Sequence, residues 1–387
     1  MPLDFLVDEL RRLESRGLRR RLRPIEGSQR AIVDVDGRAA VNFSSNNYLG
    51  LASAPALLDA ARRALDEAGF GAGASRLIVG NLAPHRRLEQ ALAGFHDTQA
   101  ALLFNSGYQA NVGVLSALAG PEDVLFSDEL NHASVVDGCR LSRARVEVYR
   151  HRDVEDLGRR LERTSGRRRF IVTDTVFSMD GDLAPLGELR ALADQHEAVL
   201  VIDEAHATGV VGPAGRGLAA AIGVRAEVHV GTLSKALGAF GAYVAGSVAL
   251  IDYLANRARS FVFSTALPPS VAAAAAAALG LARSAEGDHL RERLSERAAQ
   301  FARGLGLGPR AYDIPIFPIV LGDERATMAA SDRLLAEGIY VQGIRPPTVP
   351  AGTSRLRFTI MATHTAEQID HALAALARAL PERGRPG

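Results

Sequence analysis

The sequence has 387 residues, which exceeds one compact core, and we expect two or three domains. A formal net charge of +1 argues against nucleic acid or an acidic membrane surface as the main partner, and no apolar run approaches the ~18 residues of a membrane span. A hydrophobic fraction of 47% fits a soluble enzyme, and the single cysteine, with no apolar signal segment at the start, favours a reducing cytoplasm without disulfides.

The N-terminal segment predicts an amphipathic helix over residues 1–23, because leucine and valine recur there at steps of three and four residues. This stretch includes the neighbouring arginines Arg19, Arg20 and Arg21. An arginine cluster is typical of a solvated face. The alternative is an anchor for a substrate carboxylate or phosphate, because guanidinium groups bind oxyanions through paired hydrogen bonds.

The following segment alternates short predicted elements with polar loops. Asp36-Gly37 is a hairpin turn signal between two apolar runs. Glycines at alternate positions of 69–73 allow the backbone to approach a ligand closely, although a flexible linker has the same composition. The elements predicted here are a hairpin over 31–43, a helix over 54–67 and a helix over 85–95.

From residue 100 onward, apolar strands alternate with helical segments, which predicts an α/β fold with a mostly parallel central sheet. The alanine run 272–278 predicts a buried helix that joins two domains. The predicted strands of the sheet are 100–104, 123–126, 170–174, 198–202, 228–231 and 241–246. A smaller α+β domain follows, with predicted strands at 314–320 (an edge strand), 339–342 and 355–360 and a closing helix after Thr365.

The predicted division of the chain has three parts. Residues 1–45 form an N-terminal segment of helix and hairpin, 46–282 a large cofactor-binding domain, and 283–387 the small C-terminal domain. Polar residues follow the predicted strands of the large domain, and in parallel sheets ligands bind at the carboxyl ends of the strands. We therefore expect the functional site there.

Lys235 is the residue on which the functional interpretation depends. The chain has 45 lysines and arginines, and Lys235 is its one lysine. Arginine stays charged and forms no imine, whereas a lysine amine can lose its proton and condense with an aldehyde. A surface lysine is the alternative in an ordinary chain. The choice of lysine at this one position predicts a Schiff base between Lys235 and a cofactor aldehyde.

Pyridoxal phosphate (PLP) is the cofactor that this arrangement predicts. Asp203, at the end of an apolar strand, suits the partner of a protonated pyridine nitrogen. Backbone N–H groups at Gly107 and Tyr108, where a helix begins, suit a phosphate. The other candidates are Thr232 with its neighbour Ser234 for the phosphate, His132 as a stacking ring, and His206 and Ser178 near the phenolic oxygen.

Other kinds of site have weaker support in the sequence. Taken alone, His132 also fits a core or surface histidine, and Asp203 also fits a helix N-cap. Asp203 and His206 lie one turn apart, but no second histidine pair lies nearby and Cys139 stands alone, so we expect no metal. The serine-hydrolase elbow Gly-x-Ser-x-Gly and the P-loop motif are absent from the sequence.

Several motifs of the chain resemble those of the α-oxoamine synthases. These are fold-type I PLP-dependent transferases that condense an amino acid with an acyl thioester and release carbon dioxide. The resemblance spans almost the whole chain and implies a homodimer with shared active sites. The motifs are NFSSNNYLG at 42–50, DELNHAS at 128–134, FSMDGD at 177–182, DEAHATG at 203–209 and TLSK at 232–235.

The resemblance also implies a role for each site residue. Lys235, Asp203 and His132 match the catalytic residues of the family, and Asn46 and Arg357 match the pair that holds the amino-acid carboxylate. Ser264 and Thr265 match residues that reach the phosphate in a neighbouring subunit. The cofactor contacts implied are Gly107, Tyr108, His132, Ser178, Asp203, His206, Thr232, Lys235, Ser264 and Thr265.

The segment 343–353 resembles the biotin-pathway branch of the family, whose substrates are L-alanine and a pimeloyl thioester. Arg20 and Thr348 match substrate contacts of that branch, although Arg19 and Arg21 flank Arg20. Coenzyme A and acyl carrier protein both remain open as the acyl carrier. The activities of glycine C-acetyltransferase, 5-aminolevulinate synthase and serine palmitoyltransferase also remain open, as do a non-catalytic binding module with this fold and a helper subunit.

Overall fold

The computed structural model describes residues 2–380. Within that range the chain forms two compact units. The larger consists of residues 51–178 and 182–291, and the smaller combines the chain up to residue 50 with residues 179–181 and the chain from 292 onward. The three-part division expected from the sequence stays a prediction.

The helices are α1 Phe5–Ser15, α2 Pro55–Ala68, α3 Ala83–His96, α4 Gly107–Leu118, α5 Ala133–Ser142, α6 Val154–Arg163, α7 Leu186–Gln195, α8 Leu218–Ile222, α9 Val248–Arg257, α10 Arg259–Val262, α11 Pro269–Ala282, α12 Ala285–Gly304, α13 Glu324–Ala336 and α14 Ala366–Ala379. The strands are β1 Ile25–Glu26, β2 Ile32–Val35, β3 Arg38–Asn42, β4 Ala100–Phe104, β5 Val124–Asp128, β6 Arg145–Tyr149, β7 Arg169–Asp174, β8 Val199–Asp203, β9 Val228–Thr232, β10 Ala242–Gly246, β11 Ile316–Gly322, β12 Ile339–Tyr340, β13 Gly343–Ile344 and β14 Ser354–Thr359.

The larger unit is built on a seven-stranded sheet in the order β4-β10-β9-β8-β7-β5-β6. The pairs among β5 to β9 are parallel, and β10 pairs antiparallel with both β4 and β9. The central strands are apolar and buried, as expected of strands covered on both faces. The predicted α/β class with a mostly parallel sheet is confirmed.

One strand of this sheet was not expected from the sequence. β6 lies at the edge, and its residues Arg145–Tyr149 are mostly exposed or half-buried. Charged residues alternate with valine in this strand, so it offers no continuous apolar run of the kind that identified the central strands.

The smaller unit contains two small sheets, in the orders β1-β2-β3-β12 and β11-β14-β13. The predicted hairpin is confirmed as β2 and β3, and Asp36 and Gly37 both have positive φ, as a type I′ turn requires. The predicted edge strand is confirmed as β11, which pairs only with β14 within its sheet. The rings of Phe43, Phe301 and Phe358 pack together in the core of the smaller unit.

The N-terminal helix is shorter than predicted. It covers Phe5–Ser15 rather than residues 1–23. Gly17 adopts a φ of 67°, its N–H donates to Glu14 O, and the N–H of Leu18 donates to Leu13 O. This is the Schellman pattern that ends a helix at a glycine, and the periodicity of the leucines gave no sign of it.

The alanine-rich helix also differs from the prediction in its role. It is buried, as α11, but it lies wholly within the larger unit and packs against α2 and α3. Small alanine side chains allow these helices to approach closely, so the run serves packing inside one unit rather than a connection between two. Among the described residues, none of the helices has both the length and the apolar character needed to cross a membrane.

Candidate active site

Lys235 lies on the turn that follows β9, and its side chain is half-buried. The turn is held by hydrogen bonds from Leu233 N to Gly241 O and from Gly238 N to Lys235 O, both 2.9 Å. Gly238 has a φ of +63°, and a Cβ there would lie 2.3 Å from Ala52 N. The turn therefore holds Lys235 in a defined place at the carboxyl end of a central strand.

Asp203 lies at the carboxyl end of the neighbouring strand β8 and is buried. Its Oδ2 accepts a hydrogen bond from Asn111 Nδ2 at 2.7 Å, and its Oδ1 accepts one from Ala205 N at 2.8 Å. Hydrogen bonds to both oxygens fix the orientation of the carboxylate. The structure thus supplies a stationary negative charge in a largely buried place.

A chain of hydrogen bonds connects Asp203 to His132. Asn111 Nδ2 donates to Ser134 Oγ at 2.9 Å, and Ser134 Oγ lies 2.7 Å from His132 Nδ1. The backbone N–H of Ser134 also donates to His132 Nδ1 at 3.2 Å, so the proton of a neutral ring resides on Nε2. We call Asp203, Asn111, Ser134 and His132 the aspartate–histidine network.

Asn111 and Ser134 were not identified as site residues from the sequence. Both are buried, and each bridges residues that are distant in the chain. One feature of the sequence could have identified Asn111. It lies four residues after Gly107 on α4, so the two residues share a face of the helix.

His132 occupies the N-cap of α5, where its ring retains an exposed surface. Desolvation lowers its pKa, the charge of Asp203 opposes that change, and the charge of Lys235 adds to it. Its backbone N–H donates to Asp174 Oδ2 at 3.1 Å. Burial, followed by the charge of Asp203, raises the pKa of Asp174 well above its ordinary value. Asp203 and Lys235 both lie close enough to His132 to affect its pKa. The three residues therefore belong to one site.

The start of α4 provides backbone donors for an anion. Ser106 is the N-cap, and its side chain accepts a hydrogen bond from Gln109 N. Apart from its chain neighbours and its own helix, nothing in the described part of the chain lies within 4 Å of a Cβ placed at Gly107, so the first turn is open. Tyr108 is exposed, and its OH donates to Asp137 Oδ2 at 2.7 Å. A helix N-terminus with open space before it suits a phosphate.

Thr232 ends β9 and is buried, while Ser234 is exposed. Thr232 Oγ1 donates to Gly241 O at 3.0 Å, and it lies 2.8 Å from Ser234 Oγ. The backbone N–H of Ser234 donates to Thr232 Oγ1 at 3.2 Å. The two hydroxyls are therefore tied together on the strand that leads to Lys235.

Ser178 and His206 lie on loops that follow β7 and β8. Ser178 is half-buried and His206 is buried. The Ser178 loop closes on itself through a hydrogen bond from Phe177 N to Asp182 O at 3.0 Å. Asp182 is in turn held by His151, whose Nε2 lies 2.9 Å from Asp182 Oδ2.

Ser264 and Thr265 follow α10 in an extended segment of the larger unit. Thr265 forms an antiparallel bridge with Ser75, and its carbonyl oxygen accepts a hydrogen bond from Asn105 Nδ2 at 2.9 Å. The bridge brings the segment around Ser75, which follows the glycines at 69–73, next to the segment around Ser264. Large apolar side chains are exposed on both, namely Phe70, Leu77, Ile78, Val79 and Phe263.

Two of the predicted substrate residues meet in the smaller unit. Both terminal nitrogens of Arg357 donate to Asn46 Oδ1 at 3.2 Å, and Arg357 is buried. Tyr48 OH also donates to Asn46 Oδ1 at 3.2 Å. Burial raises the pKa of Tyr48 to about 12, although Arg357 opposes the change. Asn46 therefore holds a buried guanidinium in place.

The other predicted pair, Arg20 and Thr348, is also in contact. Arg20 Nη2 donates to Thr348 Oγ1 at 3.1 Å. The flanking arginines instead approach Glu14, at 3.0 Å for Arg19 and 3.6 Å for Arg21. Of the three arginines, Arg20 is the one that meets Thr348 in the structure.

Comparisons with known proteins identify the family of the chain. The family model "Aminotransferase class I and II" matches residues 38–376. A curated relative, 8-amino-7-oxononanoate synthase of Anaeromyxobacter dehalogenans, is 54% identical over 384 residues, which are 98% of this chain and 96% of the relative. The enzyme of the same name from Geobacter sulfurreducens is 53% identical over 98% of both chains.

Solved structures give the same fold. A serine palmitoyltransferase of S. paucimobilis with a bound PLP–myriocin aldimine has a TM-score of 0.91 at 34% identity over 98% of both chains. The 8-amino-7-oxononanoate synthase of Francisella tularensis has a TM-score of 0.74 at 30% identity over 88% of this chain and 98% of its own. This chain therefore belongs to the aminotransferase class I and II family, and the two curated relatives described above are 8-amino-7-oxononanoate synthases.

Proposed function

We propose that this chain is a PLP-dependent acyltransferase. It condenses L-alanine with a pimeloyl thioester to give 8-amino-7-oxononanoate, carbon dioxide and the free thiol, a step of biotin biosynthesis. The observation that carries the proposal is the position of the chain's one lysine. Lys235 follows β9 at the carboxyl end of the sheet, beside strand β8, which ends at the fixed carboxylate of Asp203. The full-length similarity to curated 8-amino-7-oxononanoate synthases supports the choice of substrates.

The residues of the larger unit fit PLP. An amine at Lys235 suits the aldehyde, and the carboxylate of Asp203, oriented by two hydrogen bonds, suits a protonated ring nitrogen. The open first turn of α4 at Gly107 suits the phosphate. When bound, PLP supplies an electron sink for the electron pair that is left at the substrate Cα when its proton is removed.

The chain's own residues then have separate tasks. Asp203 would hold the protonated ring nitrogen of the cofactor, because its carboxylate is buried and is fixed by two hydrogen bonds. Lys235 Nζ would take the Cα proton of alanine and later return a proton to the product. His132 would stack on the cofactor ring, and its lowered pKa keeps the imidazole neutral near pH 7, so it would add no charge there.

The remaining contacts orient the cofactor. Ser178 and His206 would hold the phenolic oxygen, and Gly107, Tyr108 and Thr232 would hold the phosphate. These assignments rest on the positions of the residues at strand ends and at the start of α4.

Arg357 binds the carboxylate of alanine. Its guanidinium is buried and is already oriented by Asn46 Oδ1, so little side-chain entropy is lost when a carboxylate binds. This grip holds the amino acid until the carboxylate leaves as carbon dioxide. Arg20 and Thr348 bind the far carboxylate of the pimeloyl chain, because together they offer a guanidinium and a hydroxyl at one place.

We also propose a cytoplasmic homodimer in which Ser264 and Thr265 reach the phosphate of the partner subunit. The exposed apolar side chains around these residues support the proposal, because large apolar side chains gathered on one surface mark an interface. Pimeloyl-CoA and pimeloyl-acyl carrier protein both provide the required thioester.

Serine palmitoyltransferase activity is a second candidate, because the structural similarity to serine palmitoyltransferases is higher, with a TM-score of 0.91 against 0.74. Sequence identity favours the first candidate, with 54% against 34%. Steady-state turnover with alanine, serine and glycine, each paired with pimeloyl, palmitoyl and acetyl thioesters, separates them. The proposal expects the highest kcat/KM for alanine with the pimeloyl thioester. Preferred turnover of any other pair would refute it.

A further inference from the structure

A buried cluster of His96, Glu204 and His229 lies in the larger unit, outside the network described above. Glu204 directly follows Asp203, the last residue of β8, and its backbone N–H donates to Val230 O of β9 at 2.8 Å. The strand pairing therefore continues to Glu204, and successive residues along it point to opposite faces of the sheet. Asp203 contacts α4 through Asn111, whereas Glu204 Oε1 accepts a hydrogen bond from Ala219 N of α8 at 3.0 Å. The cluster therefore lies on the opposite face of the sheet from the aspartate–histidine network.

The strand register explains why His229 meets Glu204. His229 on β9 is paired with Ile202 on β8, so the two side chains share a face, and Glu204 lies two residues after Ile202 on that same face. A Cβ placed at Gly217 would come within 2.5 Å of both carboxylate oxygens, so the carboxylate is packed against the backbone of that glycine.

Two atoms of the cluster are buried and have no hydrogen-bond partner among the residues that the structure describes. They are Glu204 Oε2 and His229 Nδ1. They lie 3.7 Å apart, which is longer than a hydrogen bond. Glu204 is 1% exposed. A buried carboxylate oxygen without a donor is unfavourable, so these two atoms point to a ligand between them.

His96, at the end of α3, completes the cluster. One ligand atom from each of the three residues lies within 4.8 Å of the others. His96 Nε2 lies 2.7 Å from Tyr243 OH, which lies 3.2 Å from Thr208 Oγ1. A hydrogen bond from one ring nitrogen to a buried partner orients a metal-binding imidazole, as outer contacts do at known sites.

We propose that His96, Glu204 and His229 bind a divalent transition-metal ion of the zinc class. Two imidazoles and one carboxylate form a common zinc ligand set, and imidazole nitrogens favour zinc or cobalt over magnesium or calcium. Ligand atoms around tetrahedral zinc lie about 3.3 Å apart, given metal–ligand bonds of about 2.0–2.1 Å. The separations of 3.7 Å and up to 4.8 Å need only small side-chain movements to reach that geometry.

A cavity of about 370 Å³ opens beside the cluster, and all three residues line it. It provides an entry path and space for water as a further ligand. Arg216 also lines the cavity, and its charge opposes a cation. The competing arrangement is an ion pair of Glu204 with a protonated His229 and no metal.

Cobalt binding to the tag-free holoenzyme tests the proposal, in the absence of amino acids. Visible difference spectra follow the Co²⁺ titration, and elemental analysis after dialysis against zinc gives the stoichiometry. We expect one ion per chain, an affinity at least tenfold weaker in Glu204→Gln and His229→Gln, and unchanged binding in the matched control His371→Gln, which alters an exposed histidine of the smaller unit.

Two results would overturn the proposal. No stoichiometric binding of Co²⁺ or Zn²⁺ would leave the ion pair only, and equal binding by both cluster variants would place the metal elsewhere. If Glu204→Gln fails to fold, as judged by circular dichroism, His229→Gln and His96→Gln decide the matter by the same measurement.

Discussion

Replacing His151 by glutamine will remove a pH-dependent part of the stability of the larger unit. His151 bridges two carboxylates, with Nδ1 2.9 Å from Asp128 Oδ1 and Nε2 2.9 Å from Asp182 Oδ2. Burial lowers its pKa, but the hydrogen bonds and charges of Asp128 and Asp182 outweigh burial and raise the pKa from 6.5 to about 9. The protonated ring thus fastens the Ser178 loop to the end of β5.

The magnitude follows from the difference between the folded and unfolded pKa. At roughly 1.36 kcal/mol for each pKa unit, a rise from 6.5 to about 9 corresponds to about 3 kcal/mol of unfolding free energy. The side chain is 18% exposed, so solvent screens the interaction only weakly. Because the folded pKa is raised, this stability is fully present below about pH 6.5 and is lost as the pH rises through about 9.

Urea unfolding of the wild type, His151→Gln and the exposed-histidine control His371→Gln, at pH 6 and pH 10, measures this effect. We expect the wild type to exceed His151→Gln by about 3 kcal/mol at pH 6 and by less than about 1 kcal/mol at pH 10, while the control follows the wild type at both pH values. A difference that is the same at pH 6 and pH 10 would show that the doubly bonded, protonated ring is not its source.

Three further predictions concern the active site and the dimer. Asn111→Ala removes a hydrogen bond to the charged Asp203, and such a bond is worth about 1.5–3 kcal/mol. We therefore expect kcat/KM to fall by roughly 10- to 150-fold and PLP, followed by fluorescence, to bind more weakly. Unchanged PLP affinity would contradict this role of Asn111. Arg20→Met should raise the KM for the pimeloyl thioester by about tenfold or more, while the KM for alanine stays constant. The control Arg21→Met should leave both KM values unchanged. Equal effects of the two variants would refute the assignment of Arg20. Phe263→Asp places a charge on an exposed apolar surface that we assign to the dimer interface. Sedimentation velocity should then show monomers, and the enzyme assay should show reduced activity. A stable, active dimer would place the interface elsewhere.

The sequence predicted most of the fold where local patterns are strong. The Asp36-Gly37 turn and the apolar runs of the central strands were recognisable because turn chemistry and burial on both faces leave a direct trace in the residues. The end of α1 at Gly17 was missed because the leucine periodicity continues past it. β6 was missed because an exposed edge strand has no apolar run.

The candidate catalytic residues could also be identified from the sequence, but the residues that orient them could not. Lys235 was conspicuous because the rest of the chain uses arginine. Asn111 and Ser134 were not, because their importance depends on hydrogen bonds to Asp203 and His132 across distant segments. The same holds for the three residues of the proposed metal site, which only the register of β8 and β9 and the end of α3 bring together.

Peptide mapping of the cofactor attachment tests the central claim most directly. The purified holoenzyme is reduced with borohydride, digested, and analysed by mass spectrometry for the pyridoxyl group. Because the chain has one lysine, we expect a single labelled peptide containing Lys235, at one group per chain, and no label in Lys235→Ala treated in parallel. A pyridoxyl group on the α-amine of the chain, or none at Lys235, would contradict the account.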